Sequence, residues 1–416
     1  MTVAPASDSP HSLGTRRLLP LGVAGDISWA RHRERYGPLL LHGQRGLVAE
    51  VERSGLTGRG GAAFPTAVKL AAVAKGRKPV VVANGTEGEP ISAKDVVLMT
   101  FNPHLVVDGV LTALAAVDGA EAYVAVSERA HRARASLESA LAERGRDAGQ
   151  IRIVETPERF VAGEESALVN VVNGGEAKPT FRPPRPFERG VGGRPTLVQS
   201  VETLANLALV ARYGAEWFRS AGTQAEPGTV LVTAAGCVAR PGVVEVELGT
   251  PLRALVERCG GLTGEPQAVL VGGYFGTWLG ADALDLPLLN SSVPLGARAI
   301  VALPRDTCGL AETARVARYL AGESAGQCGP CVFGLPAVAA ALESVATGRR
   351  DAAEQLDRLP RLSLQIARRG ACAHPDGALR FVESALRVFD REVELHLGGR
   401  CSARSREPLL PTGVAA

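Results

Sequence analysis

Two stretches of this sequence carry residue types and spacings that could do chemistry. Near the C-terminus, Glu323-Ser-Ala-Gly-Gln-Cys328-Gly-Pro-Cys331 sets two thiols three positions apart, and Cys372 follows about forty residues on. Thiolates in a C-x₂-C pair with a remote third cysteine are a recognised way to hold an iron–sulfur cluster. A cubane cluster normally takes four cysteines, and this run supplies three. The same C-x₂-C also suits half of a zinc site or a redox pair, so all three chemistries stand at this point. Near the N-terminus, Gly55-Leu-Thr-Gly58-Arg59-Gly60-Gly61-Ala-Ala-Phe64-Pro65-Thr66-Ala-Val-Lys69 is built for close backbone approach. Glycines accept positive φ, and Pro-Thr can open a helix whose first N–H groups, with Arg59 and Lys69, suit a phosphate. A plain tight turn is the competing reading. The pattern is neither G-x-G-x-x-G nor a P-loop.

Two acidic clusters join these. Asn84-Gly-Thr-Glu87-Gly-Glu89-Pro90 directly follows the apolar run 80–83, and loops at strand C-termini are where α/β sheets bind ligands. Gly163-Glu164-Glu165-Ser166 precedes a helical pattern, where the helix dipole favours acids regardless of function. Taken one at a time, each acidic cluster reads as a solvated or capping feature before it reads as a binding site.

These residues need elements to position them. Residues 80–83, 122–126 and 151–154 read as strands, alternating with helices over 105–116 and 130–144, which predicts an α/β layer with a largely parallel sheet. The Gly-, Pro- and Arg-rich stretch 174–195 predicts a long functional loop, and 196–219 returns to helical periodicity. From 228 the pattern runs strand, strand, helix, strand, a compact β-grasp-like module. Beyond about 310, helical periodicity over 311–321, 335–347, 352–368 and 376–396 predicts a bundle. The expected organisation is therefore an irregular leader over 1–45 and an α/β domain over 46–220. A β-grasp module over 228–290, a helical domain over 305–400 and a tail over 401–416 complete it.

Composition narrows the function classes. The 46 basic and 43 acidic side chains nearly cancel, so nothing proposes nucleic acid as a partner. No apolar run approaches the roughly 18 residues of a membrane span, so direct membrane insertion is not expected. Arg16-Arg17 before a short apolar stretch resembles a twin-arginine signal only faintly, and the expected location is the cytoplasm. Seven cysteines, an odd number, favour free thiols or metal ligands over a disulfide framework.

Taken together and in order, these stretches resemble the family of NADH- and FMN-binding subunits of respiratory complex I and its relatives in soluble NAD-reducing hydrogenases and formate dehydrogenases. The likeness covers about residues 50–400. The family's G-R-G-G-A-G-F-P-T-G-x-K is matched at 58–69, with Ala63 and Ala67 in place of glycines; N-A-D-E-x-E-P-G is matched at 84–91. Y-x-C-G-E-E-T-A-L is matched at 160–168, K-P-P-x-P at 182–186, and N-N-V-E-T-L at 199–204. The module after 228 is similar to the family's soluble-ligand-binding β-grasp domain. E-S-C-G-x-C-x-P-C is matched at 323–331 except for its first cysteine, where Ala325 stands.

The resemblance implies an FMN site at Gly58, Arg59, Gly60, Gly61, Lys69, Asn84, Glu87, Gly163, Glu164 and Thr203. It implies NADH contacts at Phe64, Glu89, Glu165 and Arg182. It implies an iron–sulfur cluster on Cys328, Cys331 and Cys372, either [3Fe–4S] or [4Fe–4S] with a non-cysteine ligand. No catalytic side chain is expected, because the cofactors carry the chemistry. Two aromatic residues that the family stacks on the dinucleotide correspond to Ala72 and Arg185, which weakens NADH stacking and admits NADPH or another donor. Cys308 is a candidate for approaching the missing ligand position, and Cys237, Cys259 and Cys401 read as structural. The implied activity is that of one subunit of an NADH dehydrogenase (quinone)-like oxidoreductase. It passes electrons from NAD(P)H through FMN and the cluster to a ferredoxin-like or thioredoxin-like iron–sulfur protein, in a complex held peripherally at the inner membrane face. Two readings compete with this: a non-catalytic paralogue that serves in docking or assembly, and a flavoprotein that reduces a small acceptor without a cluster.

Overall fold

The computed structural model describes residues 16–19, 27–39, 44–181, 183–405 and 407–413. Helices α1 (Trp29–Tyr36), α2 (Gln44–Ser54) and α3 (Thr66–Val73) precede the first strand, β1 (Val80–Gly85). Then come α4 (Lys94–Phe101), α5 (Pro103–Val117), β2 (Glu121–Ser127), α6 (His131–Arg144), β3 (Ile151–Thr156), α7 (Glu165–Val172), β4 (Thr196–Ser200) and α8 (Val201–Arg219). The four strands form one parallel sheet in the order β3-β2-β1-β4. The chain therefore steps one way from β1 to β3 and returns to the other side of β1 for β4. That reversal opens a crevice between the C-terminal ends of β1 and β4, the place where open α/β sheets take ligands.

Two expectations need correction here. Residues 196–200 are a strand, not the start of a helix: β4 pairs with β1 from Thr196 opposite Val80 to Ser200 opposite Asn84. Its five residues are all buried and run straight into the apolar α8, so no period-2 alternation marks them. The leader is also less irregular than expected within its described part. The Arg17, Leu18 and Leu19 N–H groups all donate to Glu245, and the Arg17 guanidinium stacks 4.0 Å over Trp217. Arg17 thus joins two domains, and α1 gives the leader a regular helix; residues 1–15, 20–26 and 40–43 lie outside the described residues.

The second sheet contains β5 (Thr229–Gly236), β6 (Gly242–Glu247), β7 (Pro266–Val271), β8 (Thr277–Gly280) and β9 (Ala299–Pro304), with α9 (Leu252–Arg258) packed on it. Its order is β6-β5-β9-β7-β8, and β5 and β9 are its parallel pair. The central strand β9 lies beyond residue 290, so the sheet extends past the boundary read from the sequence. Alternation sorts its faces: Leu270, Val301 and Leu303 pack toward the C-terminal helices, whereas Val269, Val271, Ile300 and Ala302 pack under α9.

Helices α10 (Gly309–Gly322), α11 (Leu335–Ala346), α12 (Ala352–Ile366), α13 (His374–Val388) and α14 (Asp390–Leu397) form the bundle. The expected single helix over 376–396 is two helices that part at Phe389, whose φ of −108° leaves the helical range. The segment after α14 returns along the bundle as a strap. Leu409 and Leu410 N–H groups donate to Glu312 on α10, and the Tyr274 hydroxyl donates to Pro411 O at 2.5 Å. Among the described residues no single helix is long and apolar enough to cross a membrane.

Candidate functional site

The glycine-rich segment closes on itself before α3 begins. Gly58 N donates to Phe64 O at 2.8 Å, and Thr57 bridges Pro65, which makes residues 58–64 a tight loop. Gly61 sits at φ +112°, where only glycine is comfortable, and a Cβ there would lie 3.3 Å from Gly296 O of the β-grasp domain. Ala63 occupies φ +49°, a left-handed position that costs a non-glycine residue about 1 kcal/mol.

This loop forms one wall of a cavity of about 730 Å³ in the β1–β4 crevice. Gly58, Gly60, Gly61, Phe64, Lys69, Asn84, Glu87, Glu89, Gly163, Glu164 and Glu165 all line it. Eleven residues separately expected at the site therefore meet around one space. Phe64 is 51% exposed, and Lys69 donates to Val198 O at 2.7 Å with Glu165 3.5 Å away.

Two expected residues lie elsewhere. The Arg59 side chain is wholly buried and turns away from the cavity: its guanidinium donates to Pro227 O and Thr57 Oγ1. Burial, and then the neighbouring Arg298, pushes Arg59 down to about 9. It stitches the loop to the second domain and puts no charge into the cavity. Thr203 is also buried; its hydroxyl accepts from Arg59 N at 2.7 Å and contacts Ser200 Oγ at 2.8 Å, so it props the loop from beneath. Arg182 lies outside the described residues.

The acids divide into two kinds. Glu87 accepts from Ser92 Oγ, Asp95 N and Val96 N, so its carboxylate caps α4. Glu164 is the N-cap of α7 and accepts from Ser166 N and Ala167 N. Glu89 differs. Its Oε2 accepts from Tyr274 N at 2.8 Å, while its Oε1 is buried without a partner. Burial pushes this carboxyl up to about 8 against the pull of the Tyr274 and Ile91 N–H groups, so it holds a proton at neutral pH. A Cβ on Gly273 would sit 2.6 Å from Glu89 Oε2, so glycine is what lets this carboxyl reach the β-grasp backbone. Beneath it, Lys94 pairs with Asp95 at 2.8 Å and Glu202 at 3.0 Å. Burial alone would lower the Lys94 pKa, but the two carboxylates outweigh it.

The far wall was not legible in the sequence. Gly272, Phe275 and Gly296 of the β-grasp domain and Cys372, Ala373, His374 and Arg380 of the bundle also line the cavity. The run Gly272-Gly273-Tyr-Phe-Gly276 after an apolar strand was the available signal. Cys372 joins this wall to the cysteine loop. Burial and the adjacent thiols of Cys328 and Cys372 push the Cys331 thiol up to about 12, and the backbone N–H of Ala325 points at it. Cys328, Cys372 and the alanine that stands where the family has a fourth cysteine are thus all neighbours of Cys331. Arg159 donates to Ser324 O and Phe160 N to Glu323 Oε2, tying the α7 approach to this loop. Cys308 does not approach the gap. It caps the opposite end of α10, a helix of 14 residues and so about 21 Å long.

The donor sets fit the groups they resemble. Flexible glycine backbone, a cationic Lys69 and an orphaned Glu89 oxygen suit a phosphorylated, hydrogen-bonding ligand in the cavity. Three neighbouring cysteines, two of them acting on the third, are the ligand type an iron–sulfur cluster takes.

Comparisons with known proteins align with this geometry. The Nuo51 FMN-binding domain profile matches residues 51–209, the SLBB domain profile 231–273, and the NADH-ubiquinone oxidoreductase-F iron-sulfur binding region 311–396. The F subunit of the NADH-quinone oxidoreductase of Streptomyces coelicolor is 33% identical over 375 residues, covering 85% of this chain and 83% of that protein. The mitochondrial NADH dehydrogenase [ubiquinone] flavoprotein 1 of Dictyostelium discoideum is 32% identical over 378 residues, covering 85% and 79%. A chain of an NAD⁺-reducing [NiFe]-hydrogenase in its H₂-reduced state superposes with a TM-score of 0.79 at 29% identity, over 89% of this chain. The present chain spans 64% of that hydrogenase chain.

Proposed function

The chain belongs to the family of NADH-quinone oxidoreductase F subunits, and from that premise we propose how its own residues divide the work of electron transfer. It is an FMN- and NADH-dependent oxidoreductase subunit that carries electrons through an iron–sulfur cluster. Bound here, FMN would supply two-electron acceptance from a nicotinamide and one-electron release. Gly58, Gly60, Gly61, Lys69, Asn84 and Gly163 hold it, with Arg59 contributing only backbone and Thr203 supporting the loop. Phe64 and Glu165 at the rim, with Glu89 within, meet the nucleotide donor. Glu89 offers a neutral carboxyl rather than a charge, which spares the donor's phosphates a repulsive neighbour.

The observation that carries this reading is that Cys372 lines the same cavity as the glycine loop. The electron donor side and the cluster side share a wall, and Cys328 and Cys331 complete the thiols behind it. Val332 and Phe333, 45% and 75% exposed, follow Cys331 directly. An electron-accepting iron–sulfur protein docks there, within a peripheral complex on the inner face of the membrane. Ala325 leaves the cluster with three cysteine ligands, which favours [3Fe–4S].

An anaerobic visible spectrum of the purified protein tests the reading. Addition of NADH bleaches the flavin band, and stoichiometric iron and sulfide accompany it. A flavin band that ignores NADH would move the argument to another donor. Absence of any chromophore after incubation with FMN would sink the catalytic reading in favour of a docking role.

A further inference from the structure

At the other end of α10 a second constellation gathers that the electron route does not use. Cys308, Glu392, His396 and Cys401 bring one donor atom each to within 4.8 Å of every other. Three edges of this set are 3.1 Å from His396 Nε2 to Glu392 Oε1, 3.5 Å from Cys308 Sγ to His396 Nε2, and 3.9 Å from Cys308 Sγ to Glu392 Oε1. Tetrahedral zinc with bonds of about 2.0–2.3 Å has ligand–ligand edges of roughly 3.3–3.8 Å, so the donors stand close to where an ion would hold them. Two sulfurs, an imidazole and a carboxylate form a borderline-soft set of four, each of a ligand type that zinc accepts.

The surroundings are those of a built site. His396 Nδ1 lies 2.5 Å from Ala346 O; donating there leaves the Nε2 lone pair facing the other donors. Ser402 donates to both oxygens of Glu392, from N and from Oγ. Ala311 N–H points at Cys308 Sγ from 3.3 Å, the contact a thiolate at a helix N-terminus receives. Glu392 and His396 share one face of α14 at i, i+4 spacing. Cys401 is exposed, which gives an ion a way in.

We propose that Cys308, Glu392, His396 and Cys401 bind a structural zinc ion that pins the C-terminal strap and α14 to the head of α10. The strap has its own contacts at the same place: Arg404 and Ser405 N–H groups donate to Asp306 O, and Thr307 bridges Ser405. A metal here closes a loop that spans the whole bundle, a constraint that favours the folded state.

Elemental analysis of the full-length protein as purified, with its flavin and iron, reads the site directly. The expected result is one zinc per chain, lost in Cys401→Ser while iron and flavin stay unchanged. Because Cys401 is exposed, this variant disturbs packing least. Cobalt exchanged into the wild type is expected to give the intense thiolate-to-metal bands of a tetrahedral site, diminished in Cys401→Ser and Cys308→Ser. A Cys308–Cys401 disulfide found by mass spectrometry would overturn the proposal. So would wild type that takes up no zinc or cobalt, zinc that survives both substitutions, or loss of iron on changing Cys401.

Discussion

The two ends of α10 carry contrasting sets of sulfur ligands. Beyond its C-terminal end, Cys328 and Cys372 neighbour the buried Cys331, with Ala325 beside it and Cys372 on the cavity wall. At its N-terminal end, Cys308, Glu392, His396 and Cys401 form a full set of four with neighbours that orient the first three. The difference teaches that ligand number and ligand support follow different demands. A group that passes electrons must sit near a surface and near its donor, and a missing thiolate there changes its iron count and potential without unmaking the fold. A group that holds chain segments together needs every ligand and a rigid second layer.

Substitutions can break or sharpen that contrast. The largest effect is expected from Cys331→Ala, which removes a buried member of a set already one short. It abolishes bound iron and reduction of one-electron protein acceptors, while NADH still bleaches the flavin; iron analysis beside anaerobic titration checks both. Ala325→Cys works in the opposite sense. A restored fourth thiolate converts a three-iron cluster into a four-iron cubane, seen as a change of EPR signal from the oxidised to the reduced state of the protein. An unchanged spectrum and iron count would refute the three-thiolate assignment.

Glu89→Gln probes the cavity wall that the cluster shares. The folded carboxyl titrates at about 8, above its ordinary value of 4.5, so between these values the folded state binds more protons than the unfolded one. Stability from this group is therefore fully present below pH 4.5 and is lost as pH rises through about 8. Wild type should lose melting temperature across that window, and Glu89→Gln should flatten the profile. The mildest change is Ala63→Gly, which relieves a left-handed backbone and is worth about 1 kcal/mol at most, because glycine also frees the unfolded chain. Chemical denaturation with FMN present and absent measures it.

Much of this architecture was legible because it is local. Alternating strands and helices announce the parallel sheet, and the family resemblance carried by the glycine loop and acidic clusters implies eleven residues that line one cavity. What escaped was long-range. The roles of Glu87 and Glu164 as caps depend on N–H groups that sequence does not display, and Arg59 carries a charge whose direction only packing decides. β4 was hidden because five buried residues merge with the helix that follows. The Cys308 group is local only in part: Glu392, His396 and Cys401 follow one another closely, but Cys308 stands 88 residues before His396.

Tyr274 has a practical consequence. Its N–H holds the carboxyl of Glu89 in the cavity, and its hydroxyl holds Pro411 near the chain's end. A purification handle or fluorescent fusion placed after the strap would tug on the same residue that anchors the cavity wall. Such a label would double as a lever on nucleotide affinity, and an untagged reference belongs beside every binding curve taken with one.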